Sequence, residues 1–180
     1  KPQILFEPNT KWEYSNTGYA LLASVIEKVS NMSYGDYLNK VIFKPLEMTN
    51  TLVYLRRYAP KKIANYAFGY VYSDSLKKYF LPDNLAETKM VLWLDGVVGD
   101  GTVNSTVIDL LKWDRALYTN KLISKESKSE VFTSSELNDK SKTNYGFRFV
   151  RYPQNVPDGG VPLACTSLQL RVACFGGTIS

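Results

Sequence analysis

Tyr14 and Asn16 stand two residues apart at the mouth of a 3.6-residue apolar repeat, Leu22, Val25, Ile26 and Val29, and this juncture constrains the chain more than any other stretch. The repeat predicts a helix that buries one face, with Asn16 or Thr17 suited to cap its first turn. Such a helix holds a phenol and a carboxamide at its entrance, an arrangement that suits acyl-transfer chemistry. Histidine is absent from all 180 residues. That removes every Ser-His-Asp or Cys-His relay and every His-ligated metal site. If a serine is activated here, a tyrosine or a lysine must take its proton.

With 44% hydrophobic and 13% aromatic residues, the chain can bury a core as one globular domain or a large piece of one. Its net charge of +5, from 22 basic and 17 acidic residues, is scattered along the sequence. Nucleic-acid binding calls for a basic face or aromatic-basic interleaving, so no nucleic-acid partner is expected. The mild positive balance is ordinary surface charge that would also suit carboxylate-bearing substrates. Cys165 and Cys174 lie in apolar, strand-like sequence and read as two small buried residues, with a disulfide as the alternative. No metal-ligand spacing occurs and no cofactor is expected. No run is apolar enough to span a bilayer, and no signal peptide heads the chain.

Ser33-Tyr-Gly-Asp36 offers a capping-box-like start to a second helix, with Tyr37, Leu38, Val41 and Ile42 on its apolar face and Pro45 as its stop. Short strands are expected over 67–72 and 78–81, around a polar turn. Thr106 to Asp109 begins a helix with Val107, Leu110, Leu111 and Leu117 on one face, and Ser124 caps another through Phe132. From Tyr145 onward the pattern turns to period two: Tyr145, Phe147 and Phe149, then Leu168, Leu170, Val172 and Cys174, which predicts two antiparallel strands.

Three ordered pieces resemble the serine β-lactamase, penicillin-binding protein and esterase superfamily, in particular its class C-like branch. Pro8 to Tyr19, with Tyr14-Ser-Asn16, is similar to the family's Tyr-x-Asn motif. Phe43-Lys-Pro-Leu-Glu-Met-Thr-Asn-Thr51 resembles the segment that closes the next helix, with Glu47 where the family commonly has glycine. Gly99 to Trp113 resembles its glycine turn and following helix. The resemblance implies an α+β fold of the β-lactamase/transpeptidase type, here the helical and cap portion plus part of an antiparallel sheet, truncated at both ends. Within this one domain it implies a helical segment (1–51), a cap-like insertion with short strands (52–98), a second helical segment (99–143) and strands of the sheet (144–180). The tyrosines of the insertion, with Trp93, would either pack together or wall a ligand site.

The resemblance also implies roles. Tyr14 would be the general base or proton relay, and because a phenol ordinarily titrates near about 10, a neighbouring lysine must stabilise its phenolate. Asn16 would present its amide to the substrate, Ser15 would be structural, and Gly99 and Gly101 would permit a tight turn near the pocket. The family's nucleophile motif, Ser-x-x-Lys, lies upstream of Tyr-x-Asn, where this chain has no match. Ser75-Leu-Lys-Lys78 has the spacing but sits in a polar turn and reads as chance. The third motif is reduced either to Cys165-Thr166-Ser167, where Thr166 would contact substrate, or to Cys174-Phe175-Gly176; both lack the cationic group.

Two functions follow. One is a serine hydrolase or acyltransferase acting on β-lactams, D-amino-acid peptides or esters, with this chain incomplete and inactive alone. The other is a catalytically silent relative that binds peptidoglycan-like peptides or a protein partner. Family members are usually exported, which implies a periplasmic or secreted protein. Substrates would be small molecules or peptides, and a partly built sheet would favour self-association or a complementary fragment.

Overall fold

The computed structural model describes residues 4–82, 95–143, 150–151 and 163–164. In chain order the described elements are α1 (Asn16–Ser30), α2 (Tyr34–Leu38) running into a π-helical turn (Asn39–Phe43), β1 (Leu52–Val53), β2 (Val71–Ser73), β3 (Lys78–Phe80), β4 (Val103–Asn104), α3 (Val107–Leu117), α4 (Lys125–Phe132), β5 (Val150–Arg151) and β6 (Leu163–Ala164). The chain divides into two compact units, one of Lys1–Ser15 with Asn120–Gln169 and one of Asn16–Thr119 with Leu170–Ser180.

In the second unit, α2 starts as its sequence requires. Ser33 accepts a hydrogen bond from the Asp36 backbone N–H at 3.1 Å and donates to the Asp36 carboxylate at 2.6 Å, which satisfies an otherwise orphaned donor of the first turn. The helix then widens, with Lys44 N–H bonding to the Asn39 carbonyl at 2.9 Å, and ends ahead of Pro45. Each π-type turn holds more residues than an α-turn, so the inward face advances. Phe43 is therefore the buried residue, while Tyr37, Leu38, Val41 and Ile42 are half-buried. Leu46 and Met48 follow it into the core. Between them Glu47 sits at φ 56°, in the left-handed region that favours glycine. Its carbonyl accepts a hydrogen bond from Lys112 Nζ.

Asp109 is the anchor of this unit. Its carboxylate is fully buried. One oxygen accepts from the Asn50 backbone N–H at 2.8 Å and from the Thr51 hydroxyl at 2.9 Å, and the other pairs with Lys112 at 3.0 Å. Thr51 also shares a 2.7 Å hydrogen bond with buried Ser105. Thr106 caps α3 by accepting from the Asp109 backbone N–H. The N3 carboxylate of this capping-box-like pattern therefore turns away from its own helix and ties it to the 47–51 turn. Directly beside the tie, β1 pairs antiparallel with β4, Leu52 opposite Asn104, and Tyr54 N–H extends the ladder to the Thr102 carbonyl at 3.0 Å.

Residues 71–80 form a hairpin in which β2 pairs with β3, Val71 opposite Phe80, around residues 74–77, whereas 67–70 of the expected first strand are not in a strand. Its aromatics pack edge to face on one another, Tyr66 on Phe68 at 5.0 Å and Tyr72 on Tyr79 at 5.1 Å. Trp93 lies outside the described residues.

Two helix faces depart from expectation. In α1 the buried residue is Ala23, whereas Leu22, Val25 and Val29 are exposed. In α3 the buried residues are Asp109 and Ala116, whereas Val107 and Leu111 are exposed. Periodicity identifies an apolar face but not the partner that covers it, and among the described residues the small and polar positions face inward.

In the first unit Ser124 caps α4, accepting from Ser127 N–H at 3.2 Å. Asn9 and Asn138 pair side chain to side chain at 2.8 Å, and Asn138 N–H bonds to the Asn9 carbonyl at 2.9 Å. Asp139 accepts from the Ser141 hydroxyl and N–H, which hold its carboxyl below the ordinary carboxylate range. A short antiparallel ladder joins Val150–Arg151 to Leu163–Ala164. The expected second strand, 168–174, lies outside the described residues.

Asp109→Ala removes the acceptor of the Asn50 N–H and of the buried Thr51 hydroxyl and unties α3 from the 47–51 turn, so urea unfolding should show a loss of about 3 kcal/mol. Lys112→Met leaves one oxygen of the buried Asp109 carboxylate without its cation, so it should also destabilise, by about 1–3 kcal/mol.

Candidate active site

Asn16 is the first residue of α1, so the cap position before the helix falls on Ser15 rather than on Asn16 or Thr17. Asn16 is exposed. A side chain released from capping its own helix has its amide free to serve a ligand, since one carboxamide cannot easily do both. Tyr14, two residues earlier, is 37% exposed.

The glycine turn lies against this helix. Gly99 has φ +95°, and a Cβ on it would fall 2.6 Å from Ala23 Cβ and closer still to the Tyr19 carbonyl oxygen. Backbone therefore packs directly on α1, one to two turns after Asn16, where any side chain would push the two apart. Gly101 is different: a Cβ there meets nothing within 4 Å, and its φ is not positive. The left-handed residue that completes the turn is Thr102, at φ 71°. Asn104 holds the outgoing strand, donating to the Thr102 carbonyl at 3.0 Å and accepting from the Tyr66 hydroxyl at 3.0 Å.

Thus the structure brings Gly99 to the helix that begins with Asn16. Thr166, with both registers of the third motif, lies outside the described residues. Ser75 sits in the β2–β3 turn, bonded to the Ser73 hydroxyl at 3.1 Å, and Lys78 lies on β3; both are exposed. Ser75 and Lys78 therefore do not share a helical face, which is what a serine–lysine pair at this spacing requires.

Sequence reading did not find Asp109 as a buried anchor. Its signal was present in Thr106-x-x-Asp109, but a capping pattern does not reveal that the carboxylate reaches across to Asn50 and Thr51. A cavity of about 420 Å³, lined by Glu27, Tyr34, Asp36, Asn39, Thr51 and Lys61 among others, opens near the far end of α1. Eleven residues of helix, about 16 Å, separate Glu27 from Asn16, so this cavity is not at the Tyr-x-Asn entrance. Among the described residues no group of His, Cys, Asp and Glu could hold a metal ion.

A family model described as Beta-lactamase matches residues 1–172. Penicillin-binding protein 4* of Bacillus subtilis (strain 168) is 51% identical over 155 residues, which are 86% of this chain and 34% of that protein. The octameric penicillin-binding protein homologue from Pyrococcus abyssi superposes with a TM-score of 0.62 at 27% identity, covering 83% of this chain and 32% of that one. D-amino acid amidase from Ochrobactrum anthropi SV3, complexed with L-phenylalanine, gives a TM-score of 0.53 at 25% identity, covering 83% and 42%. The chain spans about a third of the length of the curated relatives it matches first.

Gly99→Ala should cost about 2 kcal/mol or more, from its left-handed φ and from the collision with Tyr19 and Ala23. Gly101→Ala should stay within about 0.5 kcal/mol of the parent, and thermal unfolding of the pair measures the contrast.

Proposed function

The chain belongs to the β-lactamase family, and from that premise we propose that it is the Tyr-x-Asn portion of a serine hydrolase or acyltransferase that works through an acyl-enzyme. The observation that carries this reading is Tyr14-Ser15-Asn16 at the start of α1, within the matched residues and with Asn16 exposed and outside the cap position. The proposed substrates are β-lactams, D-amino-acid peptides or amides, or small esters. The names of the relatives support that class, since one is a penicillin-binding protein and another a D-amino acid amidase.

In the proposed reaction a serine hydroxyl attacks the substrate carbonyl carbon and its proton passes to Tyr14, which acts with a lysine. Backbone N–H groups hold the oxyanion, the leaving group takes the proton, and water then releases the acyl group. Asn16 holds the substrate amide, Thr166 contacts the substrate from the strand side, and Gly99 sets the spacing of the turn against α1. The serine and lysine of Ser-x-x-Lys come from polypeptide outside these residues, because Ser75 and Lys78 occupy an exposed hairpin. The protein acts in the periplasm or outside the cell. That same hairpin position of the only such spacing favours a second reading for the chain by itself, a catalytically silent relative that binds peptidoglycan-like peptides.

Two measurements test this. Intact mass of the chain after exposure to a penicillin and to a fluorophosphonate should show no adduct; a Tyr14-dependent adduct would place a nucleophile within these residues. The second uses a chimera in which this chain's residues replace the 155 matched residues of the Bacillus subtilis relative. It should be acylated by labelled penicillin, and Tyr14→Phe should slow acylation by about 100-fold or more. A folded chimera that takes up no penicillin overturns the hydrolase reading.

A further inference from the structure

Basic residues occur along the whole sequence, but their excess does not. Of 22 basic and 17 acidic residues, six and one fall within 56–80, a net +5, which leaves 16 of each sign in the rest of the chain. Arg56 is neutralised by Asp95, which it meets at 2.8 Å. The other five, Arg57, Lys61, Lys62, Lys77 and Lys78, are exposed. The hairpin within this stretch is apolar as well as basic. Tyr72 stands opposite Tyr79 in the β2–β3 register, so the two rings share a face, 5.1 Å apart, and they are 48% and 69% exposed. Val71 and Phe80, the neighbouring pair, lie on the other face and are half-buried. Leu76 stands in the turn at the tip, 56% exposed, directly before Lys77 and Lys78. That turn is hydrogen-bonded: the Ser73 hydroxyl accepts from the Leu76 N–H at 3.3 Å and pairs with the Ser75 hydroxyl at 3.1 Å.

We propose that this hairpin docks the protein on the surface of a bilayer rich in anionic phospholipid, with Leu76 and the Tyr72–Tyr79 face entering the headgroup layer and Lys77 and Lys78 meeting lipid phosphates. Two independent features point to that one occupant. The local charge excess is complementary to an anionic surface, where each nearby lysine adds to the attraction. An exposed leucine gains nothing from a fully hydrated polyanion, but it does gain from the acyl boundary beneath the headgroups. Tyrosine, with an apolar ring and a polar tip, suits the layer between. Lysine carries its charge on an apolar stem, so Lys77 and Lys78 reach phosphates while Leu76 sits deeper. The docking is peripheral: among the described residues no helix is long and apolar enough to cross a membrane. The proposal does not rest on the hydrolase reading.

The test is sedimentation with vesicles of phosphatidylcholine alone and of phosphatidylcholine with phosphatidylglycerol in equal parts, for this chain and for the chimera with the Bacillus subtilis relative. The chain should bind the mixed vesicles and not the neutral ones. Lys77→Glu with Lys78→Glu should weaken binding by about 100-fold, since each charge near the surface is worth roughly fivefold. Leu76→Ser should weaken it by about 10-fold at unchanged charge. The control pair Lys125→Glu with Lys142→Glu makes the same change in net charge at exposed positions outside the stretch. It should alter binding by less than about 5-fold. All of these positions are exposed, so thermal unfolding of each variant should match the parent. The chimera should show the same order of effects.

No binding to the mixed vesicles, or binding that the control pair weakens as much as the hairpin pair, overturns the proposal. So does binding that Leu76→Ser leaves unchanged and that soluble inorganic polyphosphate abolishes, which would assign the basic excess to a hydrated anionic polymer. Binding by the chain that is lost in the chimera also overturns it, since the hairpin would then be covered within the domain. Penicillin uptake by the chimera is measured separately, so the docking surface and the hydrolase reading fail independently.

Discussion

The buried carboxylate of Asp109 is the interaction on which the larger unit depends. Taking a carboxylate out of water is expensive unless its oxygens are met by donors, and here a backbone N–H, a hydroxyl and a lysine ammonium meet them. The donors come from the 47–51 turn and from the next turn of α3, so the charge is satisfied only when those two segments are together. The same closure sets Thr51 against Ser105 and brings β1 beside β4. Two-residue strands have little pairing energy of their own. Their register is held by the polar tie at one end and by the Tyr54–Thr102 hydrogen bond at the other.

From that tie the geometry passes to the candidate site through backbone rather than side chains. β4 fixes Thr102, Thr102 completes the turn that starts at Gly99, and Gly99 lies on Tyr19 and Ala23 of α1. Asn16 is the first residue of that helix. Glu47 and Thr102, two of the left-handed non-glycine residues, flank this route, and both have their carbonyl groups held, Glu47 by Lys112 and Thr102 by Tyr54 and Asn104. Such conformations persist where surrounding hydrogen bonds over-determine them. The position of Asn16 at the start of α1 is thus tied to polar closure some distance along the chain.

Much of this was legible beforehand. Ser33, Thr106 and Ser124 start helices where their side chains can satisfy first-turn N–H groups, a local effect that needs no tertiary partner. The hairpin at 71–80 follows from short aromatic runs around a polar turn. The unusual backbone at Glu47 was legible as a side chain standing where a glycine is commonly used. The inward faces of α1 and α3 were not. Leu22, Val25, Val107 and Leu111 mark apolar faces, yet Ala23, Asp109 and Ala116 are the ones buried.

The sequence by itself determined which residue types stand at the entrance, the starts of α2, α3 and α4, and the family, because these depend on residue type and order within a few turns of chain. Only the tertiary structure decided that Asn16 begins its helix outside the cap position, that Gly99 and not Gly101 needs to be glycine, and that Asp109 is a buried anchor. It also separated Ser75 from any helical face. Each of these depends on what a residue meets across tens of positions, and neither spacing nor periodicity carries that information.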